Sequence, residues 1–98
     1  MKKAVFIPYN QALKERVIDI LDRMSVRGFT MWNEVQGRGS IKGEPHYGDH
    51  AWPSLNSAII AIVPETKVDE LLRKLNDLDK EREHLGLHAF VWSIEKEV

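Results

Sequence analysis

Cysteine is absent from the 98 residues, so neither a disulfide framework nor a thiolate metal site is open to this chain. Neither sign of charge dominates: 14 Lys and Arg stand against 15 Asp and Glu, a formal net charge of -1. That balance gives no broad electrostatic footprint for nucleic acid or an anionic membrane. Long apolar runs are missing, and none approaches a membrane span. The opening Met1-Lys2-Lys3-Ala4-Val5-Phe6-Ile7-Pro8 is basic and then apolar. Its apolar part is too short for a signal peptide, so a cytoplasmic protein is expected. Glycine and proline are sparse, with six and four residues, and both are unevenly spread. Gly39, Gly43, Gly48, Pro45 and Pro53 all fall between positions 38 and 53.

Hydrophobic residues make up 43% and charged residues 30% of the chain. This is the balance of one soluble globular domain with a single core. Residues 2–8, β-branched and aromatic, predict a strand closed by Pro8. Asn10 is a candidate N-cap. Behind it Leu13, Val17, Ile20, Leu21 and Met24 recur at helical spacing, predicting a helix over about 11–25 that stops near Gly28. Residues 29–36 alternate, with Phe29, Met31 and Val35 on one face and Thr30, Trp32, Glu34 and Gln36 on the other. Residues 55–63 predict a central strand ended by Pro64. Thr66 with Asp69 resembles a capping box, and Val68, Leu71, Leu72, Leu75 and Leu78 stripe a second helix over about 66–80. Residues 87–94 predict the last strand.

The order β-α-β-β-α-β predicts an α+β, ferredoxin-like fold: two helices on one face of a four-stranded antiparallel sheet. No helix remains for the other face, where Trp32 and Trp92 stand. An apolar face of this kind points to oligomerisation, against the alternative of half-exposed tryptophans.

Residues 38–53 form a connection too long for a compact domain unless it serves a function or is disordered. Gly37-Arg38-Gly39 follows a strand but opens no helix, so it is a weak phosphate signal beside the alternative of a bulge at the loop root. His46, Asp49 and His50 are closely spaced nitrogen and oxygen donors of the kind that suit zinc, nickel or copper. The competing reading is a pair of solvated loop histidines. Tyr47 and Trp52 flank them and either stack on a ligand or pin the loop to the body. No catalytic set stands out. There is no cysteine nucleophile, no serine lies in a motif, and the acidic pairs sit on solvated helix faces. The turn after the first strand, Pro8-Tyr9-Asn10-Gln11, lacks the arginine and glycine of an acylphosphatase-like anion loop. The third strand, Ala58-Ile59-Ile60-Ala61-Ile62-Val63, lacks the aromatic and basic residues of an RNA-binding sheet.

Several stretches in order resemble the P-II family of trimeric signalling proteins. They are Met1-Lys2-Lys3 with Ile7; Gly28-Phe29-Thr30-Met31; Glu34-Val35-Gln36-Gly37-Arg38-Gly39; Lys42-Gly43; and Ile62-Val63-Pro64-Glu65-Thr66-Lys67-Val68. The resemblance covers most of the chain, as one domain over 1–98 with a long regulatory loop at about 38–53. It implies a non-enzymatic homotrimer that senses a small effector at subunit clefts: an adenine nucleotide, a small anion or a metal ion. The loop would control a partner protein, with no nucleic acid bound and no membrane insertion. Carried over, Ile7 and Thr30 would line the cleft, Gly37, Arg38 and Gly39 would form its root, and Lys42 and His88 would complete the ligand site. The chain departs from the family in a shorter loop, with Ser40 and Ile41 where the family has polar residues that reach phosphates. Gly86 alone remains of the second glycine-rich loop, and His88 stands near an expected lysine. The alternative is a transition-metal-binding protein using His46, His50 and Asp49.

Overall fold

The computed structural model describes residues 1–37 and 55–98, His84 by its backbone alone. Strands β1 (Lys2–Asn10), β2 (Phe29–Val35), β3 (Asn56–Pro64) and β4 (Phe90–Ser93) alternate with helices α1 (Lys14–Arg23) and α2 (Val68–Glu81). The sheet order is β2-β3-β1-β4, and every neighbouring pair is antiparallel. The expected ferredoxin-like arrangement is therefore the observed one.

Strand alternation divides the sheet. Val5, Ile7, Tyr9, Ile59, Ala61 and Val63 point into the core and meet Val17 and Leu21 of α1 and Leu71, Leu75 and Leu78 of α2. Spacings of three and four residues keep each helical set on one stripe. On the opposite face Trp32, Ile62, Phe90 and Trp92 remain 45–54% exposed.

Pro8 does not end β1, which runs on to Asn10. The β1–β4 ladder stops at Phe6↔Phe90, and the Pro8 carbonyl accepts from His88 N–H at 3.1 Å on that same side. In extended backbone a residue's N and O point the same way. The missing proline donor thus falls where β4 has already left the ladder.

Helix boundaries also differ from those predicted. Asn10 does cap, its Oδ1 accepting from Ala12 N–H at 2.9 Å, but over a 3-10 turn at Gln11–Leu13 rather than directly over α1. Helix α1 ends before Gly28: Ser25 takes φ 60, with Val26 N–H on Leu21 O at 2.8 Å and Ser25 N–H on Asp22 O at 3.0 Å. These two bonds form a Schellman closure, here with serine where glycine is usual. Thr66 caps nothing. It lies inside a 3-10 turn at Glu65–Lys67, and no side-chain cap is formed at either start. Lys67 instead donates to the Met24 carbonyl at 2.8 Å, binding the end of α1 to the start of α2.

Tyr9 is fully buried, and its hydroxyl has no hydrogen-bond partner among the described residues. The adjacent Ser57 hydroxyl is turned to the Asn33 carbonyl, at 2.6 Å. Burial pushes the Tyr9 phenol above its ordinary 10.0, and nearby Ser57 offsets part of that rise. A raised folded pKa contributes stability that is complete below 10.0 and is lost as pH climbs through the folded value. Tyr9→Phe removes the unsatisfied group. It is expected to be neutral or stabilising by about 1 kcal/mol and to flatten the alkaline loss in urea melts taken from pH 8 to 11. A variant clearly less stable than wild type at pH 8 would contradict this.

Candidate functional site

The β2–β3 register slips between Trp32↔Ala58 and Val35↔Asn56. One extra residue on β2 is a bulge, and a bulge reverses the facing of everything beyond it. Val35, expected beside Phe29 and Met31, therefore turns to the face of Trp32. The bulge also takes the Asn33 carbonyl out of the ladder. Ser57 Oγ donates to it at 2.6 Å and Gln11 Nε2 at 2.8 Å.

Past the bulge the chain runs over a cavity of about 530 Å³ on the open sheet face. Trp32, Val35, Gln36 and Gly37 form one wall and Asn56 and Ala58 of β3 another; Phe6 and Pro8 of β1 line it too, and Gly86, His88 and Phe90 close the far side. The His88 and Phe90 rings stack with centroids 6.1 Å apart and planes at 21°. The walls are mostly apolar and aromatic, the character of a small-molecule site with few polar groups. His88 is the one titratable residue among the described lining residues.

Two glycines stand where a side chain would disturb the wall. A Cβ on Gly37 would stand 2.7 Å from Asn56 Nδ2, so any side chain there must push the Asn56 amide aside. Gly86 holds φ 81, where a side chain is strained. Its carbonyl accepts from Asn10 N–H at 3.2 Å, which keeps the far wall against the end of β1.

Of the expected site residues, Gly37 and His88 meet in this cavity although they come from loops far apart in sequence. Thr30 is on the open face, paired with Ile60 and outside the cavity lining. Ile7 takes no part with its side chain, which is wholly enclosed beneath the helices. Odd positions of β1 face the core, and the cleft-side positions are Phe6 and Pro8. Arg38, Gly39, Lys42, His46, Asp49 and His50, with Tyr47 and Trp52, lie outside the described residues. Among the described residues no group of three or more His, Asp or Glu is placed to hold a metal. Asn56, Phe6 and Phe90 were not singled out from the sequence. An asparagine opening an apolar strand straight after the loop was the one signal available. No described helix is long and apolar enough to cross a membrane.

The family model described as "Nitrogen regulatory protein P-II" matches residues 1–97. Among solved structures, CPII, a nitrogen regulatory PII-like protein from Thiomonas intermedia K12, bound to ADP and bicarbonate, is similar at 31% identity and TM-score 0.75, covering 93% of this chain and 83% of that one. CPII bound to ADP, AMP and bicarbonate gives 28% identity at the same TM-score and coverage. A putative PII-like signaling protein from Thermus thermophilus shares the fold at 23% identity and TM-score 0.66, over 93% of this chain and 84% of that one. No curated protein matches the chain.

Proposed function

Because the chain belongs to the nitrogen regulatory protein P-II family, we propose that it is a non-enzymatic regulator that binds a small effector in the open-face cavity. It acts as a homotrimer of single-domain subunits, and residues 38–53 pass the bound state to a partner protein. The observation that carries this is the convergence of Gly37 and His88 from two separate loops on one cavity. An effector held there touches the root of the 38–53 segment, so binding and the partner-facing segment are linked by contact. For that link to act as a switch, the effector must bind one loop state better than the other.

The aromatic walls and single imidazole favour a planar ring with limited negative charge over a triphosphate. ADP and AMP, which CPII binds, fit this description, as does bicarbonate beside a nucleotide. No arginine, lysine or carboxylate is among the described lining residues.

The test is thermal unfolding of the protein with ADP, AMP, ADP plus bicarbonate, ATP and zinc. A ligand at a hundred times its dissociation constant stabilises by about 2.7 kcal/mol, a rise of roughly 10–20 °C for a domain of this size. ADP or AMP is expected to raise Tm more than ATP. A flat response to all nucleotides at millimolar concentration would remove the effector assignment. A response to zinc alone would move the assignment to His46, His50 and Asp49.

A further inference from the structure

The stretch Pro8–Gln11 at the end of β1 is bonded to every segment that frames the cavity. His88 N–H donates to Pro8 O at 3.1 Å, Asn10 N–H to Gly86 O at 3.2 Å, and Gln11 N–H to Leu55 O at 3.0 Å. Gln11 makes a second bond with its side chain, Nε2 to Asn33 O at 2.8 Å. Asn33 lies on the leg leading out to residue 38, and Leu55 is on the leg coming back. One residue therefore holds both legs, one through its backbone and the other through its amide.

The regular β2–β3 ladder ends at Trp32↔Ala58, and beyond the bulge the described register resumes at Val35↔Asn56. The Asn33 carbonyl is available to Gln11 because the bulge has removed it from that ladder, and Ser57 shares it at 2.6 Å. The spacing matters at Gly37, where a Cβ would stand 2.7 Å from the Asn56 amide nitrogen and a methyl group would displace that amide.

We propose that Gln11 is a positioning residue for the effector cavity: its amide sets the outgoing leg of the loop against the returning leg, and so places Gly37 against Asn56. This rests on the cavity being the effector site, but the spacing itself can be measured without any effector. Gln11 is outside the cavity lining, so it acts through Asn33 and the bulge and not by touching ligand.

The experiment compares wild type, Gln11→Ala and Gln11→Glu by amide hydrogen exchange, with ADP affinity by calorimetry. Both variants keep the backbone bond to Leu55. Losing one hydrogen bond of ordinary strength is expected to lower protection at residues 34–37 and 55–57 about fivefold. The amides of Val5, Ile59 and Ala61 should keep theirs. Gln11→Glu, which sets a carboxylate oxygen against the Asn33 carbonyl, is expected to go further than Gln11→Ala. ADP affinity should fall in the same order, about three- to tenfold. Protection lost evenly across all strands, or unchanged at 34–37, would overturn the proposal. If wild type takes no ADP, the effector assignment fails separately, and local exchange alone decides the role of Gln11.

Discussion

Trp92→Glu is expected to give a folded chain that no longer assembles. Trp92 is 47% exposed on a face that no described helix covers, beside Phe90 at 54%, with Trp32 and Ile62 at 45% on the same face. In an isolated subunit a carboxylate there stays hydrated, and the fold loses about 1 kcal/mol or less through weaker strand packing. In a trimer joined through this face the same carboxylate is buried without a partner, at a cost of several kcal/mol per charge. Each 1.4 kcal/mol is a tenfold loss of affinity, so three such charges outweigh any gain from the rest of the interface. Sedimentation at micromolar concentration should show a trimer for wild type and a monomer with native circular dichroism for the variant. A wild type that sediments as a monomer would remove the trimer, and an assembled variant would place the interface elsewhere.

The second large effect is within the subunit and uses one strand as its own control. Ile59 is fully buried, and Ile62, three residues on, is 45% exposed on the opposite face. Ile59→Ala leaves a cavity between the sheet and the helices, expected to cost about 2–5 kcal/mol. Folded domains have only about 5–15 kcal/mol in hand, so Tm should fall by roughly 10–30 °C. Ile62→Ala is expected to change the Tm of dilute subunits little, by the equivalent of about 1 kcal/mol or less. If the proposed trimer forms through this face, the effect should grow at concentrations where it assembles, because there Ile62 is enclosed. Equal losses for the two variants in dilute solution would mean that the sheet faces have been assigned the wrong way round.

These two residues also show what was legible in the sequence. Alternation along β3 and helical spacing in α1 and α2 are local signals, and they led to the right sheet, helices and core. The apolar open face followed from counting helices against sheet faces. Val35 was placed on the wrong face because a bulge is decided by pairing with another strand, and nothing in Asn33-Glu34-Val35 marks it. Ser25 closing α1 in place of Gly28 is similar. The Schellman bonds and the burial of Leu21 and Val26 hold a serine at positive φ against its intrinsic preference. Thr66 resembled a cap because its spacing to Asp69 suits one, yet Pro64 begins a 3-10 turn first and the cap is never formed.

The candidate site was half legible. Gly37 and His88 came from motif order and from the resemblance to the P-II family, and the fold brings them together. Asn56, Phe6 and Phe90 join them only through strand register, which no single-sequence pattern states. In the sequence Gln11 is only part of a turn that lacks an anion loop. Its two grips on Leu55 and Asn33 depend on segments more than twenty positions away.

The sheet order has a kinetic consequence. β1 lies between β3 and β4, so one of its sides stays unpaired until residues 90–93 have been made. Strand pairs so distant in sequence form late, because chain closure must precede their contacts. Phe90 and Trp92 arrive with that last strand. Until β4 has docked the open face is incomplete, and association through it, in the trimer proposed above, is deferred to that step.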